Sequence, residues 1–151
     1  MDNALPTRLH LELATPDRQV VHEAVLEVSL PGKDGYLGIL PGHAPLLSEL
    51  RPGELAYSQD GIKRYLAVSW GFAEVLPDRV IVLVEQSEKP EEIDVEQARQ
   101  TCASAQRRLS SAGEPSEDLE RAQADLELAM ARLEVAAHSS SGLQSGKGST
   151  A

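Results

Sequence analysis

The spacing of apolar residues changes once along this 151-residue chain, and that change limits the folds that the chain can adopt. Before Pro90, apolar residues recur at every second position, as in Leu9-His10-Leu11-Glu12-Leu13, which is the period of a strand with one buried face. After Pro90 they recur every three or four positions, which is the period of a helix. The sequence therefore predicts a β-domain at residues 1–90 and a helical domain at residues 91–138.

Short apolar runs alternate with turn signals throughout the first part. Residues 24–30 form one such run, with Ala24, Leu26, Val28 and Leu30 on a shared face, and Val80, Val82 and Val84 form another. Many short strands at close spacing are typical of an antiparallel β-sandwich or flattened barrel. The turn signals are Thr15-Pro16-Asp17, Pro31-Gly32-Lys33-Asp34-Gly35, Asp60-Gly61 and Pro77-Asp78, and Asp60-Gly61 is the strongest hairpin signal.

The second part predicts an antiparallel hairpin of two helices. Asp94 and Gln97 match a capping box at the start of a helix that ends near Ser110, and Ser116 can cap a second helix. A short break between two amphipathic segments favours an antiparallel pair. The apolar seams are Val95, Ala98, Cys102, Ala105 and Leu109 in the first helix, and Leu119, Ala122, Leu126, Ala129, Leu133 and Ala136 in the second.

Alanine-rich seams hold two helices together weakly. Each buried alanine contributes half or less of the roughly 2 kcal/mol that a leucine would add. The pattern alone fits a mobile hairpin and a static, closely packed pair equally well. Residues 139–151 are rich in Ser and Gly, which predicts a flexible tail.

Composition excludes several classes of function. The chain carries 24 acidic against 14 basic residues, a net charge of −10, which argues against nucleic-acid binding and against anionic membrane surfaces. Cys102 is the single cysteine, so disulfides and cysteine-rich metal sites are excluded. No apolar run approaches the roughly 20 residues that cross a bilayer, so we expect no direct membrane insertion.

No pattern of catalytic residues stands out. Ser69 lies in Ser69-Trp70-Gly71 rather than in a G-x-S-x-G elbow, and residues 142–150 imitate a phosphate-binding loop with the wrong spacing. We therefore predict no catalytic residue, no metal site and no resident cofactor. The four histidines, which share no metal-ligand spacing in the sequence, are His10, His22, His43 and His138.

One Gly/Pro-rich segment carries more specific information. By itself, such a segment with one histidine is typical of a simple turn. However, residues 35–47 read GYLGILPGHAPLL, which resembles the loop of the epsilon subunit of F-type ATP synthases, and further blocks of that family follow in order at residues 50–55, 68–75 and 92–95. The resemblance covers residues 9–136.

The resemblance implies a non-catalytic subunit of the central stalk, which couples rotation of the c-ring to the catalytic core of a proton-translocating ATP synthase. In that family the sandwich binds the gamma subunit and sits on the c-ring. The helical hairpin is mobile and limits ATP hydrolysis by transient contact with the alpha and beta subunits. We expect a peripheral subunit on the cytoplasmic face of the bacterial plasma membrane.

The resemblance also implies roles for particular residues. The glycines and prolines of residues 35–47 predict a stiff knuckle that presents Tyr36 and His43 outward. The position of Tyr36 is often acidic in relatives. The expected c-ring contacts are Tyr36, Leu37, Pro41 and His43.

The hairpin has nine acidic residues and five arginines between Ile93 and His138, so the expected inhibitory contact is electrostatically weak. Exposed arginines among glutamates on a helix also simply favour solubility. The candidate regulatory contacts are Arg99, Arg107, Arg108, Arg121 and Arg132.

Some relatives bind ATP through an I/L-D-x-x-R-A motif and arginines of the second helix. Here Gln97 replaces the motif arginine, and an amide is no substitute for a guanidinium as a phosphate partner. Leu128 stands at one of the expected second-helix arginines. We predict weak or absent ATP binding, with Ile93, Asp94, Ala98 and Arg132 as the remnant of the site. A free nucleotide sensor and a small sandwich enzyme are the alternatives, distinguished by compaction of the hairpin with ATP and by turnover of the isolated chain.

Overall fold

The computed structural model describes residues 4–111 and 113–145, with the side chains of the last helix described up to Ser139. A 3-10 turn (Pro90–Glu92) separates the strands from the two helices. The helices are α1 (Val95–Ser110) and α2 (Glu117–Ser145). The strands are β1 (Leu9–Ala14), β2 (Gln19–Val25), β3 (Glu27–Gly32), β4 (Gly35–Ile39), β5 (Leu46–Leu50), β6 (Gly53–Gln59), β7 (Ile62–Val68), β8 (Gly71–Leu76), β9 (Arg79–Val84) and β10 (Ser87–Glu88).

The strands form a sandwich of two layers. Their order is β10-β7-β6-β3-β5-β8-β9-β1-β2, with β4 paired to β3. Strands β3 and β5 share only the pair Gly32↔Leu50, so the sheet divides there. We call β10-β7-β6-β3-β4 the first layer and β5-β8-β9-β1-β2 the second. The predicted antiparallel sandwich followed by a two-helix hairpin is confirmed, with one parallel pair between β1 and β9.

The core lies between the layers and is aliphatic except for Tyr57. Leu9, Leu11 and Leu13 on β1 are fully buried, as are Val80 and Val82 on β9, so the period-two pattern is confirmed in both strands. All residues of the main hydrophobic cluster lie between Leu9 and Val84. The sandwich thus contains a complete core of its own, without a contribution from the hairpin.

The predicted single run at residues 24–30 is interrupted in the structure. Leu26 is 45% exposed and forms a bend between β2 and β3, and the buried positions are Val25, Val28 and Leu30. The chain passes here from the second layer to the first. The two strands face the core from opposite layers. The alternation of core-facing residues therefore shifts by one position where the chain passes from β2 to β3.

Local signals place the turn and the helix starts correctly. Asp60 and Gly61 have φ angles of 51° and 77° in the turn between β6 and β7, as a two-residue hairpin requires. The Asp94 carboxylate accepts a hydrogen bond from the backbone N–H of Gln97 at 3.0 Å, and the Ser116 hydroxyl oxygen accepts one from Leu119 at 3.2 Å. The seam alanines Ala98, Ala105, Ala122 and Ala129 are buried.

The second helix is longer than the sequence pattern predicts. It continues to Ser145, so residues 139–145, predicted as the start of a flexible tail, are helical in the structure. An established helix gains one hydrogen bond for each residue added, and this outweighs the mild preference of serine for non-helical structure. The rest of the predicted tail, residues 146–151, lies outside the described residues.

Candidate interaction surfaces

The four residues predicted to contact a c-ring lie on and after β4. Tyr36 is 62% exposed, and its phenol oxygen accepts a hydrogen bond from the backbone N–H of Glu54 at 3.3 Å. Leu37 packs against the core, and Pro41 and His43 are half-buried in the following turn. His43 Nδ1 lies 2.7 Å from the carbonyl oxygen of Ala44, and since a carbonyl only accepts, Nδ1 carries the proton.

The structure corrects the predicted shape of this segment. Residues 35–39 form strand β4, so Tyr36 and His43 are separated by the length of that strand instead of sharing one knuckle. Gly35 and Gly42 have positive φ angles of 138° and 86° and form the turns at its two ends. Gly38 pairs with Ser29 of β3 inside the strand, where no positive φ angle is required. Four strand steps of about 3.3 Å put the two turns roughly 13 Å apart.

The outer face of the second layer carries an apolar strip formed by Leu47, Trp70, Phe72 and Leu83. These side chains are 71%, 45%, 46% and 57% exposed, respectively. Phe72 and Leu83 are cross-strand partners, and the rings of Trp70 and Phe72 meet edge to face at 5.0 Å. Leu47 lies diagonally from Phe72, because its partner is Glu74. A contiguous exposed cluster of this kind marks an interaction surface more often than scattered apolar residues do.

A hydrogen bond fixes the indole at the end of this strip. Trp70 Nε1 donates to Glu49 Oε1 at 2.9 Å, and Lys33 Nζ lies 3.5 Å from the other carboxylate oxygen. The indole hydrogen bond, with a smaller contribution from Lys33, holds the pKa of Glu49 below its ordinary value. The polar edge of the indole is therefore satisfied within the chain, and its apolar face is left for a partner.

The hairpin lies against the first layer and is held there by polar contacts. Arg132 Nε and Nη2 lie 2.6 and 3.3 Å from the two carboxylate oxygens of Glu88. His138 Nε2 lies 3.1 Å from Glu54 Oε2, and its ring stacks on Tyr65 at 3.5 Å between centroids. We call these contacts, together with the ion pair between Arg51 and Glu127, the latch.

Small residues form the apolar part of the same contact. Helix α2 contacts β6 and β7, where Ala56 and Ala67 are buried on the face that carries Tyr65. On the helix, Ala131 and Val135 are buried although neither belongs to the predicted seam. Helix α2 therefore buries two faces, one against α1 and one against the sandwich. The dense apolar composition of residues 126–137 is the sequence signal for that second face.

The five candidate regulatory arginines do not form one patch. Arg132 belongs to the latch and its side chain is only 13% exposed. Arg108 pairs with Asp125 across the hairpin at 2.9 Å, and Arg99 lies 3.9 Å from Glu96. Arg107 and Arg121 are exposed.

The remnant of the ATP site is occupied by the protein itself. Arg132 also donates from Nη2 to Gln97 Oε1 at 3.2 Å, so the structure does bring the two helices together at this point. Ala98 is fully buried, and Asp94 is engaged as the cap of α1. A phosphate would have to displace the Glu88 carboxylate from Arg132. Weak or absent ATP binding remains a prediction.

Family models match both parts of the chain. The model described as "ATP synthase, Delta/Epsilon chain, beta-sandwich domain" matches residues 8–90, and "ATP synthase, Delta/Epsilon chain, long alpha-helix domain" matches residues 91–137. The chain belongs to the ATP synthase delta/epsilon family. The two matches meet next to Pro90, where the period of the apolar residues changes.

Curated relatives narrow the assignment to the epsilon type. The ATP synthase epsilon chain of Geotalea uraniireducens is 41% identical over 130 residues, which cover 86% of this chain and 94% of the relative. That of Koribacter versatilis is 53% identical over 102 residues, covering 68% of this chain and 72% of the relative. This epsilon-type chain is a non-catalytic accessory subunit of ATP synthase.

Solved structures show the same fold. A chain in the cryo-EM structure of the Euglena gracilis mitochondrial ATP synthase, comprising OSCP, F1 and c-ring, matches with a TM-score of 0.76 at 27% identity, covering 91% of this chain and 86% of that one. A chain in the Tetrahymena thermophila central stalk and c-ring structure matches with a TM-score of 0.54 at 12% identity, which shows the fold alone. Neither helix of the described part combines the length and the hydropathy needed to cross a membrane.

Proposed function

We propose that this epsilon-type chain is a rotor subunit of the central stalk and transmits rotation of a c-ring to the catalytic core through the gamma subunit. The observation that carries the proposal is the apolar strip, which stays uncovered on the second layer while the hairpin covers the first. Exposed Trp and Phe side chains in one apolar cluster are typical of the centre of a protein–protein interface. We assign this strip as the binding surface for the gamma subunit.

The two ends of β4 are assigned to the c-ring. Tyr36 lies beside the turn at the start of β4 and is more than half exposed, and His43 directly follows the turn after β4. Two separated turns give two points of support, which resist tilting better than a single knuckle would. The subunit is then peripheral, at the cytoplasmic face of the bacterial plasma membrane, and reaches the membrane through the c-ring.

The hairpin is proposed as the regulatory part. In the closed position, the hairpin rests on the first layer through the latch. In the open position, it reaches the alpha and beta subunits transiently. Its contact with the sandwich supports this role, because it consists of small side chains and three polar pairs, of which only Arg132–Glu88 is largely buried. The exposed arginines Arg107 and Arg121 are available in both positions.

The regulatory role is tested by ATP hydrolysis of the cognate catalytic core. The core is assayed with no epsilon subunit, with the full chain, and with a chain that ends at Glu92. The shortened chain keeps the entire hydrophobic cluster, so it should fold and bind. We expect only the full chain to suppress hydrolysis, by several-fold. Equal hydrolysis with both chains, when both are bound, would assign the hairpin no inhibitory role.

A further inference from the structure

Three side chains converge on the outer face of the second layer, although they are spread over thirteen residues of the sequence. His10 and Glu12 lie two residues apart on β1, and His22 on β2 is the cross-strand partner of Glu12. The Nε2 atoms of His10 and His22 lie 3.5 and 3.6 Å from the same carboxylate oxygen, Glu12 Oε1. All three potential ligand atoms lie within 4.8 Å of one another.

The spacing fits a metal ion better than it fits hydrogen bonds. Ideal donor–acceptor distances in proteins are about 2.7–3.2 Å, so neither histidine makes a short hydrogen bond to Glu12. In a tetrahedral zinc site, ligand bonds of about 2.0–2.1 Å place neighbouring ligand atoms roughly 3.3–3.4 Å apart. Both measured nitrogen–oxygen distances are within about 0.3 Å of that value. The two rings meet edge to face at 4.5 Å and 84°.

We propose that His10, Glu12 and His22 form a binding site for a divalent transition-metal ion such as zinc. Two imidazoles and one carboxylate are a zinc ligand set that leaves a fourth position open. The three side chains are 45%, 39% and 53% exposed, so water can fill that position. Across the strands, His10 is the register partner of Arg79 on β9, whose guanidinium is paired with Asp78.

The site was missed in the sequence because its ligands meet only after the strands pair. His10 and Glu12 share a face through the period of a strand, but His22 reaches them through the turn between β1 and β2. Strand β2 is at the edge of the sheet. A bound ion would tie this edge strand to β1, which is flanked on both sides, and so would stabilise the folded chain.

The test is a calorimetric titration of the full, tag-free chain with ZnCl2, combined with thermal unfolding in the presence and absence of the ion. We expect one zinc ion per chain and a melting temperature raised by several degrees. His22→Gln and Glu12→Gln should each lower the affinity by at least about tenfold, since even outer-shell changes cost about 10–100-fold. His43→Gln is the matched control and should bind as the unmodified chain does, because His43 lies outside the cluster.

Two results would overturn the proposal. One is that ZnCl2 produces neither a heat of binding in the titration nor a rise in the melting temperature. The other is binding that persists unchanged in the His10→Gln/His22→Gln double variant, which would show adventitious association with other surface groups. Circular dichroism of each variant at room temperature separates loss of the site from loss of the fold. This test needs no partner subunit, so its failure leaves the proposed stalk function standing.

Discussion

Phe72→Asp is expected to weaken binding of this chain to the cognate catalytic core by about 100-fold or more. Phe72 lies at the centre of the apolar strip, beside Trp70 and opposite Leu83. A carboxylate there would lose its hydration in the interface without gaining a partner, and truncation of a central aromatic residue alone costs about 2 kcal/mol or more. Since each 1.4 kcal/mol is about tenfold in affinity, the two losses together exceed 100-fold.

The measurement is a fluorescence titration, because Trp70 is the chain's only tryptophan and lies in the strip. The fluorescence emission of Trp70 should change when the catalytic core, which contains the gamma subunit, covers the indole. The emission of the core alone is subtracted. Calorimetry provides the affinity of the variant independently. Phe72 is 46% exposed and outside the core cluster, so the variant should fold.

Ile62→Asp is the matched control for that experiment. Ile62 is 55% exposed at the start of β7, in the first layer and away from the strip. We expect the affinity of this variant for the catalytic core to stay within about twofold of that of the unmodified chain. Surface substitutions usually change the free energy of unfolding by less than about 0.5 kcal/mol. Equal weakening by both substitutions, or unchanged binding of Phe72→Asp, would rule out the strip as the docking surface.

Arg132→Glu is expected to open the hairpin. The substitution replaces a two-point contact with Glu88 by two like charges in a setting where the arginine is only 13% exposed. Hydrogen bonds between charged groups contribute about 1.5–3 kcal/mol. A loss of that size shifts the equilibrium between closed and open hairpin by about 10- to 150-fold. Amide hydrogens of α2 should exchange faster by a similar factor, and hydrolysis by the core should be inhibited more strongly.

Two further variants make that result specific. Arg121→Glu introduces the same charge change at an exposed position on the same helix and should leave exchange in α2 nearly unchanged. Glu88→Arg combined with Arg132→Glu recreates the pair in reverse and should restore much of the protection. The latch would lose its assigned role if Arg121→Glu had the same effect, or if the reversed pair gave no rescue.

Sequence patterns captured the features that depend on neighbouring residues. Alternation at Leu9, Leu11 and Leu13 predicts the inward face of β1, and the cap at Asp94 predicts the start of α1, because both signals are local. The bend at Leu26 escaped prediction, since alternation carries no information about which layer a strand enters. The helical extension beyond His138 escaped because composition does not record the length of a cooperative helix.

The interaction surfaces were less accessible from the sequence. The latch joins Glu88 to Arg132 and Glu54 to His138, pairs that are 44 and 84 residues apart. The histidine cluster likewise forms only when β1 pairs with β2. The apolar strip had a local signal, because residues 80–84 are apolar on both faces of β9, a pattern typical of strands that are covered on both faces. The roles of Tyr36, Leu37, Pro41 and His43 remain predictions.

Coupling of rotation to catalysis by this chain can be measured as ATP-driven proton pumping. Vesicles that carry the cognate complex are stripped of epsilon subunit and reconstituted with no addition, with the full chain, or with Phe72→Asp. We expect acidification of the vesicle lumen to return with the full chain and to fail with Phe72→Asp at the same concentration. Pumping that is equally strong without the chain, or that stays absent when the full chain is bound, would show that the chain does not couple rotation to catalysis.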